Sequence, residues 1–342
     1  MLATSPPSDV AEPSIEELNA YARPSLVRAC FQLLNTGIPY VALWLLMVFS
    51  LEYSYWITLL LAIPTGLLLM RLFVLQHDCG HGSFLPSRAA NNSVGFILGV
   101  VTLVPYEYWR KTHAIHHATS GDLDRRGLGD VDTLTVAEYL ALSPFKRVSY
   151  RLMRNPFVLF GVGPIYQFLI KHRLPLDIPR SWNREWASVH WTNLALAAVV
   201  AGMWLTIGIK AFLLVQIPVF LISGALGIWL FYVQHQFEDA YWESSDKWSF
   251  HAAAMKGSSY LDLPAVGHWL TGNIGIHHIH HLCSRIPNYR LRRCLAENPE
   301  LQEGKRMTIR EGLRCLRLQL WDEKSRRLIG ISDLEENKPE LD

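Results

Sequence analysis

Long apolar runs, separated by charged stretches, set the pattern of this chain. Four runs are apolar over about 20 residues, the length that an α-helix needs to cross the hydrocarbon core of a bilayer. They cover residues 31–51, 56–76, 187–207 and 211–233. We therefore predict an all-α integral membrane fold with four transmembrane helices.

The four runs fall into two pairs, because only a few residues separate the first run from the second and the third from the fourth. Connections this short join antiparallel neighbours, so the pattern predicts two helical hairpins. Residues 1–30, 77–186 and 234–342 then lie on one side of the membrane. We divide the chain into an N-terminal segment, 1–30, and a single domain, 31–342, in which 77–186 and 234–342 form a helical cap.

Charge decides which side this is. Of the 32 Lys and Arg residues, two precede residue 31, thirteen lie in 77–186 and fifteen follow residue 234. Arg71 is near the end of the second run, and only Lys210 remains for the opposite side. Because cytoplasmic loops carry the excess of positive charge, we expect both termini and the cap in the cytoplasm, at a bacterial inner membrane.

Three further stretches have their own predictions. The apolar stretches 94–104 and 156–170 are too short to span comfortably, and we expect interfacial or re-entrant segments, or caps over the cytoplasmic domain. The charged tail after Pro287 has leucines at helical spacing, so we expect it to be helical and close to the membrane face.

Composition narrows the class of protein. Half of the residues are hydrophobic and 18% are charged, against about a quarter charged in soluble domains. A net charge of +2 gives no basis for nucleic-acid binding. The five cysteines are odd in number and none forms a C-x-x-C pair, which argues against a disulfide framework or a zinc ribbon.

The 14 histidines are concentrated in clusters. HDCGH places His77 and His81 four residues apart, and HAIHH and HHIHH repeat one H-x-x-H-H spacing. On a helix, positions three and four residues apart share a face, so each cluster directs its rings to one point. The repeated spacing selects His113, His116 and His117, then His277, His280 and His281, and leaves His278 out of register.

A lone histidine is usually only a satisfied polar residue, and a solvated surface patch is the other simple interpretation. Three clusters beside predicted membrane helices instead favour metal binding, since a metal keeps converging imidazoles neutral. Eight ligands are too many for one ion and suit two. Imidazole binds zinc, copper, iron and nickel, and the residues alone favour iron without deciding it.

The segments HDCGHGSF, WRKTHAIHH and GIHHIHHLCSRIPNY resemble the three histidine boxes of the membrane fatty acid desaturase family over roughly residues 31–300. HDCGH and HHLCSRIPNY look most like the acyl-lipid delta-12 (omega-6) type. The resemblance implies two iron ions per chain, with Asn273 close to the metal. The implied ligands are His77, His81, His113, His116, His117, His277, His280 and His281, with His235 as a ninth.

The resemblance also implies that O2 and two electrons are used to introduce a cis double bond into a fatty acyl lipid. The chain has no G-x-G-x-x-G fingerprint, cysteine run or haem motif, so we expect a separate electron donor such as ferredoxin. Four arginines between residues 285 and 293 would bind an acidic electron donor or lipid phosphates, or would only reflect the positive-inside bias. They are Arg285, Arg290, Arg292 and Arg293.

The candidates for lining an acyl tunnel, or for packing alone, are Tyr106, Trp109, Trp229, Phe231 and Tyr232.

Six acidic residues near the clusters are candidates for orienting the histidine rings: Asp78, Glu107, Asp124, Asp130, Glu238 and Asp239. Four histidines match no box: His172, His190, His251 and His268. Two rival functions stay open. One is a related hydroxylase or ketolase acting on a carotenoid, sterol or alkane, and the other is a membrane protein that binds or moves metal ions.

Overall fold

The computed structural model describes residues 15–336, so the first 14 residues of the predicted N-terminal segment lie outside the described part. The described chain is mostly helical. Its α-helices are α1 Ile15–Leu18, α2 Leu26–Ser50, α3 Tyr55–His81, α4 Arg88–Val101, α5 Tyr106–Thr119, α6 Val136–Ala141, α7 Pro144–Met153, α8 Asn183–Ile207, α9 Ile209–His235, α10 Phe250–Gly257, α11 Ala265–Leu270, α12 His277–Leu282, α13 Asn288–Glu297, α14 Ile309–Arg314 and α15 Ile331–Glu336. Two π-helical segments cover Val158–Val162 and Ile165–Lys171, and 3-10 turns cover Pro299–Glu303 and Cys315–Arg317.

Four helices are long and apolar enough to cross a membrane: α2, α3, α8 and α9. They confirm the four predicted spans, but each helix extends beyond its apolar run at one or both ends. The polar ends are helical because caps and packing, not hydropathy, decide where a helix stops. Ser25 and Ser54 cap α2 and α3 by accepting backbone N–H bonds from Arg28 and Trp56.

The hairpins α2–α3 and α8–α9 pack against each other through α3 and α9. The C-terminal ends of α3 and α9 carry histidines of two adjacent groups, so the two hairpins open toward the same side. α3 is the most buried of the four spans, whereas α8 turns most of its apolar surface outward. The predicted pairing of helices is therefore what the structure shows.

The two short apolar stretches are not ordinary spans. α4 and α5 are separated by a short break and bent by 102°, which is the geometry of a broken span or a re-entrant loop. Val158–Lys171 forms a short apolar helix built largely of π-helical turns. The bend between α4 and α5 fits a re-entrant loop or a broken span, and the interfacial position of Val158–Lys171 stays a prediction.

Short strands pair distant segments of the cap with one another. The prediction of a helical tail after Pro287 did not include the strands that lie in that tail. β1 Leu134–Thr135 pairs in parallel with β4 Leu320–Asp322, which pairs antiparallel with β5 Arg327–Ile329. β2 Tyr260–Leu261 pairs in parallel with β3 Arg306–Met307. The leucine spacing of the tail fits helices only in α13 and α14, because backbone pairing with distant strands overrides local periodicity elsewhere.

Candidate metal centre

Local sequence explains how α3 presents its two histidines. His77 and His81 occupy the last turns of α3, four residues apart on one face. Gly82 then adopts a φ of +68°, a left-handed conformation that ends the helix at His81. Gly80 has another purpose, since a Cβ there would lie 2.7 Å from the ring of Trp109. Its missing side chain lets α5 approach α3 closely.

The other histidines come from three elements that converge on the same point. His113, His116 and His117 lie on α5, His235 is the last residue of α9, and α12 carries the third cluster. The hydrophobic residues Ile276, Ile279 and Leu282 anchor α12 in the core of the cap. The alternation of apolar and histidine positions thus fixes which rings face the centre.

The nine predicted ligands form two groups. Within each group, one nitrogen from every ring lies within 4.8 Å of those from the others. The first group consists of His77, His81, His113, His117 and His280, and the second consists of His116, His235, His277 and His281. The rings of His117 and His281 stack at a centroid distance of 4.1 Å, which places the two groups side by side.

The spacing of the nitrogens resembles the edges of a coordination shell. The Nε2 atom of His113 lies 3.0 Å from that of His77 and 3.1 Å from that of His117. In the second group, Nε2 of His235 lies 3.1 Å from Nε2 of both His116 and His277. Two nitrogens about 2.1 Å from one ion and at right angles would be about 3.0 Å apart. One ring N–H cannot satisfy several such neighbours at once, whereas a cation between them can.

Outer partners hold three of these rings in the tautomer that a metal requires. His116 Nδ1 donates to Asp130 at 2.5 Å, and His235 Nδ1 donates to the Gly257 carbonyl at 3.2 Å. Asp78 lies 3.3 Å from Nδ1 of His77. With the proton on Nδ1, the lone pair is on Nε2, which faces the group. The buried Nε2 atoms of His81 and His281 have no hydrogen-bond partner in the described residues.

Burial also keeps the rings neutral. Desolvation holds the pKa of His113, His117 and His277 well below the usual value of histidine, and neighbouring imidazoles lower it further. The same causes, in the same order, lower the pKa of His280 and His281. Neutral imidazole is the form that binds a metal, so the donor set fits transition-metal ions.

A buried chain of hydrogen bonds connects the HHLCSRIPNY segment to this centre. Asn288 donates its backbone N–H and its side-chain amide to Asp78, at 2.7 and 2.8 Å, and Asp78 contacts His77. Gln32 of α2 donates to the Asn288 side chain at 2.8 Å. Asn273 donates its side-chain amide to the Asn288 carbonyl at 3.1 Å. The predicted closeness of Asn273 to a metal stays a prediction.

The remaining candidates divide clearly. Of the six acidic residues, Asp78 and Asp130 contact histidines of the groups, whereas the other four make polar contacts elsewhere. Glu107 pairs with Arg184, Asp124 accepts from the Ser245 backbone, Glu238 pairs with Arg327, and Asp239 pairs with Lys305.

The other five histidines are outside both groups. His278 points away, as its register predicts, and donates to the Leu301 carbonyl at 2.8 Å. His172 contacts Gln167, and His268 lies 3.6 Å from Asp262. The position of His190 is on α8, beside Trp186, and His251 is in α10.

A cavity of about 640 Å³ adjoins the histidines, with His77, His113 and His277 in its wall. Its long wall is one face of α9, from Phe220 to Gln234, which is roughly 21 Å at the rise of an α-helix. Of the tunnel candidates, Trp109, Phe231 and Tyr232 line this cavity, whereas Trp229 and Tyr106 are not among its lining residues.

A further part of the wall was not anticipated from the sequence. It comes from the short helix Val158–Lys171, together with Arg154 at the end of α7. Gly227 on α9 leaves room for the cavity, since a Cβ there would meet nothing within 4 Å, whereas Gly224 allows Pro164 to approach α9 closely, since its Cβ would lie 2.7 Å from that of Pro164. The signal available in the sequence was the occurrence of three small residues, Ser223, Gly224 and Gly227, within four positions of an apolar run.

Comparison with known proteins adds an independent finding. The sequence model of the family described as fatty acid desaturase matches residues 54–312, which is more than half of the chain. This chain belongs to the fatty acid desaturase family. It is therefore an oxidoreductase that desaturates fatty acyl chains.

Individual relatives agree with this assignment. A fatty acid desaturase of Bacillus subtilis is 45% identical over 316 residues, covering 92% of this chain and 89% of the relative. An sn-1 acyl-lipid omega-3 desaturase (ferredoxin) of Synechocystis is 32% identical, covering 67% of this chain and 63% of the relative. An sn-1 oleoyl-lipid 12-desaturase of Synechocystis is 28% identical, covering 67% of this chain and 64% of the relative.

Proposed function

We propose that this desaturase binds two iron ions through its nine clustered histidines and acts on the acyl chains of membrane lipids. One ion would be held by the group around His113, and the other by the group around His235. The observation that carries the proposal is the convergence of neutral imidazole nitrogens, in two adjacent groups, at the wall of an apolar cavity.

Iron supplies the oxidative chemistry that no side chain can perform, namely activation of O2 to remove hydrogen from an unactivated methylene. The protein positions the substrate and the ligands. Phe231 packs against the rings of His116 and His235, with centroids 5.1 and 5.3 Å away, and lines the cavity. Trp109 stacks on His113 at 4.4 Å and lines the cavity from α5. These two aromatic rings would hold an acyl chain beside the centre and exclude water.

The substrate class follows from the cavity and from the relatives. The cavity lining is mostly apolar, which suits an acyl chain, and the Synechocystis relatives are named for acyl-lipid and oleoyl-lipid substrates. The four membrane-length helices support a position of the cavity close to a bilayer. We propose the orientation predicted by the positive-inside rule, with the histidine side in the cytoplasm.

A separate protein would supply the two electrons, and ferredoxin is our candidate because one relative is named for it. Arg285, Arg292 and Arg293 are exposed at the surface close to α12 and α13. Such a positive surface suits an acidic electron donor. We keep the division into an N-terminal segment, 1–30, and one domain, 31–342, as part of the proposal.

Two measurements test this function. Expression in a host that lacks the double bond should give a new unsaturated fatty acid by gas chromatography, and the purified protein should contain two irons per chain. His280→Ala should abolish the product. A protein with full iron content that leaves every acyl chain unchanged, but oxygenates a sterol or carotenoid, would refute the desaturase assignment.

A further inference from the structure

Asp78 is a buried carboxylate beside the first histidine group, and no Lys or Arg of the described residues pairs with it. Its Oδ1 lies 3.3 Å from Nδ1 of His77. Its Oδ2 accepts the backbone N–H and the side-chain amide of Asn288, at 2.7 and 2.8 Å. A buried carboxylate without a cation depends on hydrogen bonds, so Asn288 is the residue that holds this one in place.

The two oxygens of Asp78 have separate partners. Both N–H groups of Asn288 meet Oδ2, which leaves Oδ1 to accept from Nδ1 of His77. A rotation that moves Oδ1 away from His77 therefore also breaks two hydrogen bonds to α13. With the proton held on Nδ1, His77 presents the lone pair of Nε2 to the other rings of the first group.

Gln32 of α2 fixes the orientation of the Asn288 amide. Its Nε2 donates to Asn288 Oδ1 at 2.8 Å, and its Oε1 accepts from Asn288 Nδ2 at 3.2 Å. A reversed amide would set the Asn288 oxygen against the Asp78 carboxylate, where neither group can donate. α2 supplies no histidine to either group, so it reaches the centre through this pair of amides.

The second histidine group has a support of its own. Asp130 accepts from Nδ1 of His116 at 2.5 Å and from the backbone N–H of Gly127 at 3.2 Å. Asp130 lies in the loop after α5, whereas Asp78 belongs to α3 and Asn288 to α13. No hydrogen bond among the described residues joins Asp130 to Asp78 or Asn288. The two supports can therefore be disturbed one at a time.

We propose that Asn288 and Gln32 are positioning residues that hold Asp78 against His77 and so determine how tightly the first histidine group binds its metal ion. The inference rests on the proposed two-iron site. It adds that α2 and α13, which carry no ligand, set the affinity of one ion and not of the other. Loss of an outer partner of a metal ligand changes metal affinity about 10- to 100-fold.

The test is anaerobic chelator competition on the iron-loaded, full-length protein, with iron counted per chain. Asn288→Leu removes the side-chain amide and keeps the backbone N–H, whereas Gln32→Met removes the support of that amide alone. Asn91→Leu is the matched control, because Asn91 is also no more than 1% exposed and makes three hydrogen bonds to backbone groups, none of them to a histidine.

We expect Asn288→Leu to keep one iron at a chelator concentration that leaves two in the unmodified protein, a shift of about 10- to 100-fold for the lost ion. Gln32→Met should shift the same ion by a smaller factor, since the Asn288 N–H groups still reach Asp78. Asn91→Leu should retain both ions, although metal-free Asn91→Leu and metal-free Asn288→Leu should unfold at similarly lowered temperatures. That comparison separates weaker metal binding from a general loss of stability.

A double variant identifies the ion that is lost. His235→Ala removes a ligand of the second group, so Asn288→Leu combined with His235→Ala should retain no iron where each single variant retains one. A double variant that still retains one iron would show that both changes affect the same ion, and would overturn the proposal. Loss of both ions in Asn288→Leu alone, or an equal loss in Asn91→Leu, would overturn it as well.

Because the readout is bound iron and not product, it separates this proposal from the proposed function. Selective loss of the first ion in a chain that forms no double bond would contradict the function and leave the positioning role standing. Two firmly bound irons in Asn288→Leu would refute the positioning role alone. An unmodified protein that binds fewer than two irons would refute the two-iron site and the positioning role together.

Discussion

Asp130→Asn is the sharpest test of how the protein holds the metal in the second histidine group. Asp130 lies 2.5 Å from Nδ1 of His116, and both side chains are at least nine-tenths buried. The carboxylate can only accept, which fixes the proton on Nδ1 and the lone pair on Nε2. An asparagine amide is neutral and can present its NH2 group instead, which would favour the opposite tautomer.

The magnitude follows from the role of such outer partners. Their loss typically weakens metal binding 10- to 100-fold, which corresponds to about 1.4 to 2.7 kcal/mol. Asp130 contacts only the second group, so the ion held there should be lost first. We expect the iron content of Asp130→Asn to fall from two toward one per chain as a chelator is added, while the unmodified protein retains both ions.

The assay is anaerobic chelator competition on the purified protein, followed by measurement of iron and of the new unsaturated fatty acid. Asp124→Asn is a matched control, because Asp124 lies on the same loop but accepts from the Ser245 backbone. Asp130→Asn with both ions bound at normal affinity would refute the reasoning. An equal loss in Asp124→Asn would show that the loop, and not the contact to His116, matters.

Three further predictions come from the same geometry. His280→Ala should remove a ligand and abolish activity, whereas His278→Ala should retain most activity, because His278 donates to a backbone carbonyl outside the two groups. Iron content and product yield are measured for both variants, and equal losses would contradict the predicted register. Gly227→Leu should shift the product toward shorter acyl chains, or move the double bond, because a Cβ at this position of the cavity wall meets nothing within 4 Å and the leucine would fill cavity space. The fatty-acid profile measures this, and an unchanged profile would place the acyl chain elsewhere. Gly80→Val should lower thermal stability and iron content by forcing Trp109 away from α3, since a Cβ at position 80 would lie 2.7 Å from the Trp109 ring. Calorimetry and iron analysis test this. Gly37→Val is the control, because a Cβ at position 37 meets nothing within 4 Å.

Periodicity and composition were enough for the framework of this protein. Hydropathy over 20 residues marked the four spans, because crossing a bilayer demands length and apolarity that appear directly in the sequence. The H-x-x-H-H spacing distinguished His280 from His278, because residues three and four apart share one helix face. Both are local properties, so they need no knowledge of distant contacts.

Tertiary structure alone decided how these pieces combine. The split of the nine rings into two groups depends on helices from four parts of the chain. The spacing of the histidines does not predict that His116 belongs to one group and His117 to the other. The choice of Asp130 over Asp124 as the partner of His116 is set by how one loop folds back. The short helix Val158–Lys171 and Arg154 become a cavity wall only when they pack against α9. These features arise from packing and hydrogen bonds between residues far apart in sequence, which local pattern does not encode.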